Sequence, residues 1–107
     1  MSSITADHST IEVSQFLKLL SDPTRLEIIR RLAVREHCVC DFVDLFGISQ
    51  PAVSRHLKLL RSAGVILERR ERQWNYFRLN SEHGQHDLLR RILEQVGVAD
   101  VPNTITC

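Results

Sequence analysis

Apolar positions along this chain recur mostly at the spacing of helix faces, and strand-like runs occur at one place only. Ile11, Phe16, Leu17 and Leu20 fall roughly one helical turn apart, with Ser9 or Thr10 available as a cap. Leu26, Ile28, Ile29, Leu32 and Ala33 form a second apolar face. Asp22 suits its N-cap and Pro23 its first position, where the missing N–H costs nothing. Arg30, Arg31 and Arg35 near its end meet the negative pole of the helix dipole. A short third helix over about 40–46 carries Phe42, Val43, Leu45 and Phe46 and stops at Gly47. A fourth opens at Ser49-Gln50-Pro51, where Ser49 caps. Its stripe is Val53, Leu57 and Leu60, flanked by Ala52, Leu59 and Ala63, and Gly64 ends it. Residues 65–69 and 74–79 read as two strands around a polar turn, Arg70-Glu71-Arg72-Gln73. A last helix carries Leu88, Leu89, Ile92, Leu93 and Val96 and ends near Gly97. The expectation is one mainly α domain over residues 1–107, of order α-α-α-α-β-β-α. Its core spans about 9–97, followed by a flexible tail over 98–107.

Composition changes this picture little, but charge changes it more. With 43% hydrophobic and 25% charged residues, disorder is not the default. No signal peptide and no membrane-length apolar run is visible, so a cytoplasmic location with reduced thiols is expected. Net charge is only +1, yet residues 48–78 carry seven basic and two acidic side chains between two acidic flanks. A localised basic patch attracts phosphate even where the total charge cannot.

The patch falls on a short helix, a glycine turn, a capped helix with a polar basic face, and a hairpin with an arginine-rich tip. That pattern is a helix-turn-helix with a wing. The fourth helix buries Val53, Leu57 and Leu60 and offers its other face to the major groove. Gln50, Ser54 and Arg55 lie where base edges are reached; Lys58, Arg61, Arg70 and Arg72 suit phosphate. Ser49, Pro51 and Gln73 complete the expected DNA-contacting set. His56, beside the apolar stripe, reads as a core or interface histidine and not as a base reader.

The segment from Ser49 through Arg55-His56-Leu57-Lys58 to Gly64-Val65 resembles the recognition helix of the ArsR/SmtB family of bacterial metal-sensing repressors. Leu20-Ser21-Asp22-Pro23-Thr24-Arg25-Leu26 resembles the segment that precedes that family's second helix, and Cys38-Val39-Cys40-Asp41 its metal-binding box. The likeness covers about residues 12–96. It implies a winged-helix homodimer that binds double-stranded operator DNA at an inverted repeat and leaves it when metal or metalloid binds. The apolar stripes of the first and last helices fit a dimer interface.

The thiols then pose a geometric question. Two residues apart on a regular helix, Cys38 and Cys40 would point about 200° apart and could not grip one ion. The expected solution is an unwound first turn: ligand binding pulls the start of the third helix out of helical geometry and shifts the reading heads. Thiolates select soft centres, so trivalent arsenic or antimony is the expected inducer. Some arsenic sensors of the family carry a third cysteine where this chain has Val43; here Cys107 is the candidate third ligand, reaching back within the chain or across the dimer, with a free tail residue as the alternative. Cadmium-type members have cysteines on an N-terminal arm; residues 1–35 have none. His37 reads as a surface residue, and Asp41 as a support of the short helix. His83, His86 and Asp87 read as a polar helix surface, with a zinc site there disfavoured. The rivals are a repressor responding to cadmium, lead or zinc, and a thiol redox-sensing repressor of the same fold. No phosphate loop, catalytic triad or Cys-x-x-Cys redox motif is present, so no enzyme is expected.

Overall fold

The first helix begins at His8, before its expected caps, and its N-cap Asp7 makes no side-chain cap bond. This computed structural model describes residues 6–97. The elements are α1 (His8–Leu20), α2 (Pro23–Leu32), β1 (His37–Cys38), α3 (Val39–Phe46), α4 (Gln50–Ser62), β2 (Ile66–Glu71), β3 (Trp74–Leu79) and α5 (His86–Val96). The tail over 98–107, with Cys107, lies outside the described residues.

Local chemistry explains the helix starts. The Asp22 carboxylate accepts from Arg25 N–H at 3.0 Å, and Pro23 begins α2. The Ser49 hydroxyl accepts from Ala52 N–H at the start of α4. Between α3 and α4, Gly47 adopts φ 65°, which ends α3 in a left-handed cap and turns the chain into the next helix.

The core gathers one face of each helix. Phe16 and Leu20 of α1, Ile28, Ile29 and Leu32 of α2, Phe42 of α3, Val53, Leu57 and Leu60 of α4 and Leu89 of α5 are buried together with Val65, Ile66 and Phe77. The α4 stripe is the expected one, but Leu59 is 46% exposed and stands off it, on the solvent side. On α1, Ile11 and Leu17 remain exposed, as does Val96 on α5.

The sheet has three strands, in the order β1-β3-β2, all antiparallel. Two corrections follow. First, β2 runs to Glu71, pairing Arg70 with Asn75 and Glu71 with Trp74, so the turn is only Arg72-Gln73. A two-residue hairpin needs left-handed backbone, and Arg72 supplies it at φ 59°. Second, β1 was not expected at all. It pairs His37 with Phe77 and Cys38 with Tyr76, and it ties the entry of α3 to the wing. His37, expected at the surface, is therefore buried (1% exposed), because sheet pairing turns its ring inward against Phe42.

Candidate functional site

The thiol segment is built by three neighbours acting on one turn of chain. Cys38 is the last residue of β1 and the N-cap of α3, with extended backbone at φ −95° and ψ 171°. Cys40 lies one residue inside the helix. The two side chains do not stand on a common helix, so the 200° argument does not apply to them. Their sulfurs are 3.1 Å apart. Two thiolates bound about 2.3 Å from one centre stand roughly 3–4 Å apart. The expected unwinding of the first turn is thus not needed for convergence, since the strand-to-helix junction already achieves it.

Asp41 holds that junction. Its Oδ2 accepts from Cys38 N–H at 3.3 Å and from His37 Nδ1 at 3.0 Å, while Asp41 N–H faces the Cys38 sulfur in the reciprocal arrangement of a capping box. Asp41 supports the helix, as its position suggested. Among the described residues, no third histidine, cysteine or carboxylate joins the pair in a metal-holding cluster.

The thiols open onto a cavity of about 210 Å³ lined by Cys38, Val39, Cys40, Gln50, Gln73, Trp74 and Asn75. It lies where the start of α3, the first residue of α4 and the wing meet. Gln50 and Gln73 belong to the expected DNA-contacting set, so one cavity holds both cysteine sulfurs and two residues of that set.

The residues expected to form the nucleic-acid face are open to solvent. Ser49, Gln50, Pro51, Ser54, Arg55, Lys58, Arg61, Arg70, Arg72 and Gln73 are all exposed. Their partners within the chain differ. Arg61 forms an ion pair with Glu68, and Arg70 Nε–H donates to the Arg72 carbonyl at 3.0 Å. The Arg61 charge is therefore partly engaged before any phosphate arrives. His56, on the inner side of α4, accepts from Arg25 Nη1 at 3.3 Å and lies 3.8 Å from Asp22 Oδ2. It links the start of α2 to α4.

Sequence reasoning missed a long-range clamp. Arg69 grips Glu36 with Nε and Nη2, at 2.9–3.1 Å, and its guanidinium lies 4.7 Å above the Tyr76 ring. The bond to Glu36 holds the guanidinium above its ordinary pKa. The residue before the thiol box is thereby fastened to the wing. Only the acid beside the box and the alternation of Arg69 with Arg70 hinted at it. At α5, His83 Nε2–H donates to the Ala63 carbonyl at 3.1 Å, and its Nδ1 accepts from Gln85 N–H. Both ring nitrogens of His83 are engaged within the chain.

Arg72 sits in left-handed backbone at the wing tip, a conformation that costs a residue with a Cβ roughly 1 kcal/mol. Arg72→Gly is expected to raise the midpoint of thermal unfolding by a few degrees and to weaken operator binding. The slope of log affinity against log salt should fall by about 1 for each wing that touches phosphate. Operator titrations at several salt concentrations, paired with thermal melts, check both effects.

A helix-turn-helix with an exposed basic helix and a β-hairpin wing defines a winged-helix DNA-binding regulator of transcription. The comparisons agree. The model of the bacterial regulatory proteins of the arsR family matches residues 22–67. The arsenical resistance operon repressor of Escherichia coli K12 is 45% identical over 67 residues, which cover 62% of this chain and 57% of that repressor. The arsenical resistance operon repressor of Staphylococcus aureus is 34% identical over 86% of this chain and 84% of its own length. Among solved structures, the transcriptional repressor BigR from Xylella fastidiosa superposes with a TM-score of 0.72 at 31% identity, over 81% of this chain and 85% of that one. The chain belongs to the ArsR family of bacterial regulatory proteins, and it is a regulator and not an enzyme.

Proposed function

We propose that this chain is a cytoplasmic, metalloid-responsive repressor. As a homodimer it holds an inverted-repeat operator and releases it when trivalent arsenic or antimony binds Cys38 and Cys40. One observation carries this reading: two sulfurs converge at 3.1 Å on a cavity that also contains Gln50 and Gln73. A soft centre clamped there stands between the recognition helix and the wing. It alters the placement of both reading elements, provided that it binds the released form better than the DNA-bound form. The names of the E. coli and S. aureus repressors favour arsenicals. The exposed Ile11, Leu17 and Val96 on α1 and α5 support a dimer that covers them. Two α4 helices related by a two-fold axis then read two half-sites.

Cys107 is the proposed third thiolate, arriving from the tail. Counting sulfurs around bound arsenite in the parent and in Cys107→Ser tests it. Loss of one sulfur is expected, and an unchanged count removes Cys107 from the site.

The inducer itself is tested by titrating preformed operator complex with arsenite, antimonite, cadmium, zinc and peroxide at fixed salt. Arsenite and antimonite should release DNA at the lowest concentrations. Release by cadmium or zinc at equal or lower concentration favours the divalent-metal rival, and release by peroxide alone favours the redox rival.

A further inference from the structure

The convergence of the thiols depends on where α3 begins, and that start is set by a carboxylate which is itself held from behind. Asp41 Oδ2 accepts two bonds, from Cys38 N–H and from the His37 ring. Both side chains of this pair are nearly fully buried, at 2% and 6% exposure. With Nδ1–H donating to Asp41, the other ring nitrogen, Nε2, is buried with no hydrogen-bond partner among the described residues. A leucine would fill the space against Phe42 without carrying such an orphaned atom. What the imidazole supplies and leucine cannot is the bond that fixes the carboxylate under the Cys38 amide. Without it the carboxylate loses one of the bonds that hold it, the N-cap at Cys38 is less firmly fixed, and the spacing of the sulfurs is less tightly set.

We infer that His37 is a positioning residue for the inducer site. Through Asp41 it locks Cys38 as the N-cap of α3 and presets both thiolates for one trivalent metalloid. The inference rests on the proposed role of Cys38 and Cys40. It acts as an outer support acts on a metal ligand, where loss of the support commonly costs about 10–100-fold in affinity.

The test compares full-length parent, His37→Leu, His37→Asn and Cys38→Ser. Each is titrated with arsenite in the absence of DNA, and separately with operator in the absence of arsenite. His37→Leu is expected to bind arsenite at least ~10-fold more weakly with operator affinity within about twofold of the parent. His37→Asn, whose side-chain N–H can donate from nearly the same place, should recover most of the loss. The inference is overturned if His37→Leu binds arsenite like the parent, if arsenite and operator affinity fall together, or if His37→Asn recovers nothing. Cys38→Ser separates the two levels. If it too binds arsenite normally, the thiolate site itself is wrong; if it alone loses binding, only the role of His37 fails.

Discussion

Cys38→Ser is expected to keep its hold on the operator and to lose release by arsenite, with the concentration needed rising by roughly two to four orders of magnitude. The two halves of that outcome have separate causes. Retention follows from the position of the residue. Cys38 is an N-cap, a place where serine is among the favoured residues, and its buried hydroxyl would face the Asp41 N–H that now faces sulfur. Helix α3, and the seat of α4 upon it, should therefore survive. Loss of response follows from chelation. With both thiolates present on one short segment, the second bond forms at the high effective concentration of a tethered ligand, and deleting one arm forfeits that factor. Gel-shift or anisotropy titrations with labelled operator, with and without arsenite, read both halves at once. Equal release concentrations in parent and variant would count against the assigned site.

The second large effect is on the fold. Phe42 is fully buried in α3, its ring centroid 5.4 Å from that of His37 and 5.7 Å from that of Phe46. Phe42→Ala removes the ring that joins the thiol-bearing turn to the core. It should cost about 3–5 kcal/mol, from lost burial plus the cavity left behind. A domain this small has only a modest core, so this loss is a large part of its stability. The melting midpoint should fall by roughly 15–30 °C, and operator binding should fail first at the warm end of the range. A variant melting within about 5 °C of the parent would mean that the turn is anchored elsewhere, with the Glu36–Arg69 clamp the first place to look.

Much of the architecture was legible because its signals are local. Asp22-Pro23 and Ser49-Gln50-Pro51 announce two helix starts by capping chemistry, and Gly47 announces the turn between α3 and α4. The period of Val53, Leu57 and Leu60 then determines which face of α4 is buried, and so which side chains face outward. The exposure of Gln50, Pro51, Ser54, Arg55, Lys58 and Arg61 follows from that single orientation. What escaped is non-local. A two-residue strand has no periodicity to read, so β1 was invisible, and the burial of His37 with it. Treating residues 38–40 as helix made the thiols diverge on paper. The pairing of Cys38 with Tyr76, nearly forty residues away in sequence, keeps Cys38 extended ahead of α3, where Asp41 caps it, and together they let the sulfurs converge. Arg69 and Arg61 counted as free charge in a local tally, yet each is held by a glutamate, Glu36 or Glu68. The cavity shared by thiols and reading residues is likewise a product of packing. It joins positions 38–40, 50 and 73–75, which no window of sequence contains.

In this scheme Cys38 and Cys40 hold a thiophilic centre beside the start of α4. X-ray absorption at the arsenic edge of arsenite-loaded protein, parent against the Cys38→Ser, Cys40→Ser double variant, tests it most directly. Sulfur is expected around arsenic in the parent, with two fewer sulfurs, or no bound arsenic, in the double variant. An identical sulfur shell in both proteins would contradict it.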